Sequence, residues 1–145
     1  MIPVVLVHGG GFDHRCWDLL LPHLDGPIIA VDLPGRGRHP APMESVTLAA
    51  CAQAVADDVD GAGFDEIVLV GHSLAGCSMP ATLRRPFPRT WVRTLQDAIV
   101  DPDKQLRFAA NVGHCEVIDL DAAHMAMISQ PSGLARILNG IVAAP

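Results

Sequence analysis

No stretch of this 145-residue chain is apolar for the ~18 residues that a membrane-spanning helix needs. Positive charge is in deficit: 10 Lys and Arg stand against 16 Asp and Glu, a formal charge of −6. That balance argues against a nucleic-acid partner and gives no attraction to a membrane. The N-terminus, Met1-Ile2-Pro3-Val4-Val5-Leu6-Val7, lacks the charged n-region of a signal peptide and runs straight into an apolar segment. The four cysteines, Cys16, Cys51, Cys77 and Cys115, have neither CxxC nor metal-ligand spacing. They are expected to be reduced thiols of a cytoplasmic protein, with Cys51 and Cys115 facing the core. Internal repeats, low-complexity tracts and the GxGxxG pattern are missing. No Gly-Lys-Ser/Thr follows Gly9-Gly10-Gly11, which sets nucleotide binding aside.

What is abundant is apolar residue, at 50% of the chain, so one domain with a real core is expected over residues 1–145. Apolar runs predict strands at Val4–Val7, Pro27–Leu33, Glu66–Val70, Thr90–Gln96 and Cys115–Leu120. Leu48, Cys51, Ala52, Val55 and Val59 recur at helical spacing, predicting an amphipathic helix from Thr47 to Asp60. Asp101-Pro102 predicts a helix start and Gly113 its stop. Leu134, Ile137, Leu138, Ile141 and Val142 predict a C-terminal helix. Strands alternating with helices imply a mostly parallel sheet covered on both faces, with chemistry at the carboxyl ends of the strands.

The most informative stretch is Gly71-His72-Ser73-Leu74-Ala75-Gly76. It follows the apolar run ending at Val70 and leads into Leu74–Leu83, which can continue as a helix. A serine with small residues two places before and after it, between strand and helix, is similar to the nucleophile elbow of the α/β-hydrolases. Ala75, in place of the commoner glycine, is a mild departure. A serine hydroxyl needs a base to take its proton, and the base needs an orienting carboxylate. After Ser73, Asp97 closes one predicted strand and His124 follows the next, so both stand at neighbouring strand ends. Among rival acids, Asp101 reads as a helix cap and Asp103 as a first-turn acid, while Asp119 and Asp121 belong to the strand before His124. His8 and His72 read as scaffolding beside glycines, His14, His23 and His39 as solvated, and His114 as lying on the wrong edge of the sheet. Backbone donors for a developing oxyanion would come from Leu74 and from His8-Gly9-Gly10-Gly11.

Taken together, Val4 to Gly10 with Trp17, Val31-Asp32-Leu33-Pro34-Gly35, Val70 to Gly76, Trp91 to Gln105 and His124 to Pro131 resemble the α/β-hydrolase superfamily. The branch they look most like holds the plant-type methylesterases, the hydroxynitrile lyases and bacterial carboxylesterases. The resemblance implies Ser73 as nucleophile, Asp97 as acid and His124 as base, with Gly10 and Leu74 as oxyanion donors. It implies a loop-fixing role for Asp32. A substrate region is expected at Gly11, Phe12 and Met125, with Phe12, Trp17, Leu74 and Met125 bordering an apolar pocket near Ser73. It implies hydrolysis of a small-molecule carboxylic ester through an acyl-enzyme, with no cofactor or metal. In the lyases of this branch a lysine directly follows the catalytic histidine; here Met125 does, which favours hydrolysis. A lyase using the same triad and a non-catalytic ligand-binding homologue remain the alternatives. After the elbow helix the family continues with a further strand and a helical cap, and this chain shows neither. Either the sheet closes up, or a cap and strand segment is absent near Thr82–Arg85, which is the expectation. An unpaired sheet edge would invite association into a homodimer.

Overall fold

The computed structural model describes residues 1–76, 79 and 88–144. Its strands are β1 (Val4–Val7), β2 (Ile28–Val31), β3 (Val68–Gly71), β4 (Thr90–Thr94) and β5 (Glu116–Leu120). Its helices are α1 (Leu48–Gly61), α2 (Pro102–Val112), the short α3 (Ala126–Ser129) and α4 (Pro131–Ala143). Ala75 and Gly76 open the helix after the elbow. Apart from Met79, the rest of the expected Leu74–Leu83 helix lies outside the described residues, as does the expected Thr82–Arg85 junction.

β1 is the middle strand of a three-stranded parallel sheet in the order β2-β1-β3. Side chains alternate across a strand, so β1 supplies two cores at once. Val4 and Leu6 pack with Trp17, Leu20, Met127, Leu134 and Leu138 on one face. Val5 and Val7 pack with Val31, Val55 and Ala75 on the other. All four β1 side chains are fully buried, each contributing about 1.5–3 kcal/mol of apolar transfer free energy. This is the parallel α/β architecture covered on both faces that the strand–helix alternation predicted.

The expected single sheet is, however, two. β4 and β5 pair in parallel with each other, Thr90 opposite Glu116 through Thr94 opposite Leu120, and form no ladder with β3. No strand lies between β3 and β4 among the described residues. The sheet therefore has not closed up by pairing β3 with β4. Two side-chain placements also differ from expectation. Leu48 is 55% exposed, because it is the first residue of α1 and lies beyond the sheet that Cys51 and Val55 cover. Cys115 is only half-buried, since it precedes an outer strand whose far edge has no described neighbour.

Candidate active site

β3 ends at Gly71, and the chain must turn at once into a helix. Ser73 makes that turn with φ = 53°, the one positive-φ non-glycine among the described residues. For an L-residue this backbone costs on the order of 1–3 kcal/mol, and the strain lifts the hydroxyl into solvent. The flanks leave no room for side chains. A Cβ on Gly71 would overlap the Met79 sulfur, and one on Gly9 would lie 2.8 Å from His72 Nδ1 and 3.1 Å from Ser73 Cβ. Gly9 thus lets the loop after β1 press against the elbow.

His124 Nε2 lies 3.1 Å from Ser73 Oγ, and its Nδ1 lies 2.8 Å from Asp97 Oδ2. The three side chains, 51 and 27 residues apart along the chain, form one hydrogen-bonded row. Asp97 Oδ1 accepts the amides of Ile99 and Val100, both at 2.8 Å, and Oδ2 also accepts the Thr94 hydroxyl at 3.0 Å. Burial pushes the Asp97 carboxyl upward, but the Val100 amide, the His124 ring, the Ile99 amide and the Thr94 hydroxyl outweigh it. The result is a carboxyl below its ordinary value, hence an anion facing His124. The rival acids are engaged elsewhere. Asp101 caps α2 at the Asp103 amide, Asp119 pairs with Arg93 across β4–β5, and Asp121 accepts from Gln96.

Leu74 and Gly10 face each other, a Cβ on Gly10 falling 3.2 Å from the Leu74 side chain. Neither amide has a hydrogen-bond acceptor among the described residues. Gly11 is exposed with φ = 81°, and Phe12, partly exposed, sets its ring edge-on to His72 at 6.4 Å. Met125, directly after His124, precedes α3 and packs against the core. Trp17 is buried in that core with its ring edge-on to His72. His72 donates from Nε2 to the His124 carbonyl at 2.9 Å, and burial holds its pKa below the ordinary histidine value. His8 uses both ring nitrogens, donating to the Gly9 carbonyl and accepting the Leu33 amide, which ties the ends of β1 and β2.

His14, expected to be solvated, instead binds Asp32 at 2.8 Å through Nδ1, because the turn His14–Trp17 folds back over the end of β2. Asp32 is buried and also accepts the Arg38 amide at 2.9 Å and guanidinium at 2.8 Å. Asp13, His14 and Asp32 hold metal-ligand atoms within 4.8 Å of one another. The Asp32 oxygens are already committed to Arg38 and His14, so the cluster is a clasp between two loops. Thr94 and Gln105, which no motif in the sequence marks, are both buried beside Asp97.

Residues 4–86 match the model of the alpha/beta hydrolase family. The chain belongs to that family. It is 35% identical over 101 residues to the dihydrolipoyllysine-residue acetyltransferase component of the acetoin cleaving system of Cupriavidus necator, covering 68% of this chain and 26% of that one. It is 39% identical over 87 residues to the lipase LipV of Mycobacterium tuberculosis, covering 57% of this chain and 32% of that one. The chain thus spans well under half the length of these relatives. The crystal structure of the methylesterase MES16 from Arabidopsis superposes with a TM-score of 0.78 at 18% identity, over 99% of each chain. The fold is therefore that of the α/β-hydrolases. No helix among the described residues is long and apolar enough to cross a membrane.

Proposed function

We propose that this chain is the serine-hydrolase core of a carboxylesterase acting on small-molecule esters. The observation that carries the reading is the unbroken row from Ser73 Oγ through His124 to the anionic Asp97. His124 Nε2 accepts the Ser73 proton as Oγ attacks the ester carbonyl carbon. The carbonyl π electrons move onto oxygen, where the Gly10 and Leu74 amides stabilise the charge; one such donor is worth about 10²–10³ in rate. The intermediate collapses, the alcohol leaves with the proton from His124, and the acyl group stays on Oγ. Water then gives a proton to His124, attacks the acyl carbon, and releases the acid while the proton returns to Oγ. Asp97 keeps the Nδ1 proton in place and offsets the transient imidazolium. Met125 offers no cation to hold a leaving anion beside His124, which supports hydrolysis over lyase chemistry. The lipase and methylesterase among the proteins this chain is similar to support the same reaction class.

A fluorophosphonate probe is expected to label the wild-type chain once, at Ser73. Ser73→Ala should lose the label and at least about 10⁴-fold in p-nitrophenyl acetate turnover. Turnover by the alanine variant close to wild type would overturn the proposal.

A further inference from the structure

Among the described residues, β4 has a hydrogen-bonded strand neighbour on one side only, β5. Just past the strand end, the Leu95 amide donates to the Leu120 carbonyl at 3.0 Å, so Leu95 faces β5. Backbone groups of successive residues in a strand point to opposite edges, which turns the Thr94 N–H and C=O away from β5. On that side the Gln105 carboxamide takes the place of a peptide group. Its Oε1 accepts the Thr94 amide at 3.0 Å, and its Nε2 donates to the Thr94 carbonyl at 3.0 Å. These partners fix which end of the amide is oxygen, because reversal would set donor against donor. Gln105 is 3% exposed, a polar side chain buried on a helix that otherwise buries only Ala109.

The contacts continue toward the reacting atoms. Gln105 Nε2 also lies 3.0 Å from Thr94 Oγ1, 2.9 Å from the Val100 carbonyl and 3.4 Å from Asp97 Oδ2. Thr94 has one hydroxyl proton and two acceptors in reach, and the anionic Asp97 Oδ2 at 3.0 Å is nearer and stronger than Gln105 Oε1 at 3.3 Å. Oδ2 is the oxygen that accepts His124 Nδ1. Val100, held through its carbonyl by Gln105, gives its amide to Oδ1. The two Nε2 protons thus serve the Thr94 and Val100 carbonyls, so Gln105 holds the two residues whose hydroxyl and amide donate to Asp97.

We propose that Thr94 and Gln105 are positioning residues that hold the Asp97 carboxylate in register with His124, Gln105 doing so by substituting for the sheet neighbour that β4 lacks among the described residues. The proposal rests on the Ser73–His124–Asp97 reading above. It assigns Thr94 to the carboxylate directly and Gln105 to Thr94.

The test compares Thr94→Val, Thr94→Ser, Gln105→Leu and the Thr94→Val/Gln105→Leu pair. Three readouts apply: p-nitrophenyl acetate kinetics, the downfield proton-NMR signal of His124 Nδ1–H, and the melting temperature. Loss of one charge-assisted hydrogen bond to the carboxylate predicts that Thr94→Val lowers kcat about tenfold, with KM within about twofold and the Nδ1–H signal displaced. Thr94→Ser keeps the hydroxyl and should restore kcat and the signal. Groups acting in series are not additive, so the double variant should be no slower than the slower single variant. If Gln105→Leu does not fold, Thr94→Val and Thr94→Ser decide. An unmoved Nδ1–H signal in Thr94→Val, whether kcat holds or falls along with the melting temperature, overturns the proposal. A wild-type chain without turnover or fluorophosphonate labelling overturns the reading of Ser73 instead. The NMR comparison still tests Thr94 in that case.

Discussion

Asp32 shows how a single side chain can organise two loops. Burial pushes its carboxyl upward, but the guanidinium and amide of Arg38 and the amide and ring of His14 more than compensate, leaving it well below the ordinary aspartate value. A carboxyl whose folded pKa is depressed stabilises the fold above its unfolded pKa, about 3.9, and loses that contribution as pH falls toward the folded value. Asp32→Asn should therefore cost about 2–3 kcal/mol in urea unfolding at pH 7, with most of the difference gone near pH 2. An unchanged gap between the two pH values would show that the contribution is packing, with charge irrelevant. The resemblance implied a loop-fixing role for Asp32, but not that His14 is one of the groups it holds. Nothing in the spacing of residues 14 and 32 marks them as partners. Ser73, Asp97 and His124 could be named because each follows a recognisable strand, and strand ends in a parallel sheet share one rim. Gln105 could not, because its partners are backbone atoms of another element, invisible in composition and periodicity.

At the scale of the element, the Asp101 cap was legible because its chemistry is local: Asp101 accepts the Asp103 amide at 2.8 Å, as the residue type predicted. Thr47, expected as the first helical residue, instead caps α1, its Oγ1 accepting the Ala50 amide at 3.1 Å. Thr47→Ala should lower stability by about 1 kcal/mol and reduce the melting temperature without touching the geometry of Ser73. A calorimetric scan checks it, and an unshifted melting point would mean that α1 is held by its buried face alone. Strand ends were less legible. Pro27–Leu33 pairs only from Ile28 to Val31, and Thr90–Gln96 only to Thr94, because pairing stops where the partner strand ends, whatever the local sequence favours. The single turn α3 had no periodicity to reveal it.

Across the whole molecule the consequence of two separate ladders is uneven stability. β1 is hydrogen-bonded on both edges and buried on both faces, whereas among the described residues β4 and β5 pair only with each other, and β5 is largely exposed. Amide hydrogen exchange should be slowest at Val5, Leu6 and Val7 and faster by at least about tenfold at Val117 and Ile118. Equal protection in the two sheets would mean that they open as one cooperative unit. Asp97 follows β4, His124 follows β5 and Ser73 follows β3, so the row that joins them spans both ladders.

Chain order alone specified the elbow, the Asp101 cap and the alternation of strand with helix, since each depends on neighbours a few positions away, and it placed three candidate residues at strand ends that share one rim. The clasp of Asp32 on His14 and Arg38 and the hydrogen bonding of Gln105 to Thr94 were decided only in three dimensions. Each is a pairing between distant segments, chosen by which backbone and side-chain polar groups would otherwise be buried without partners.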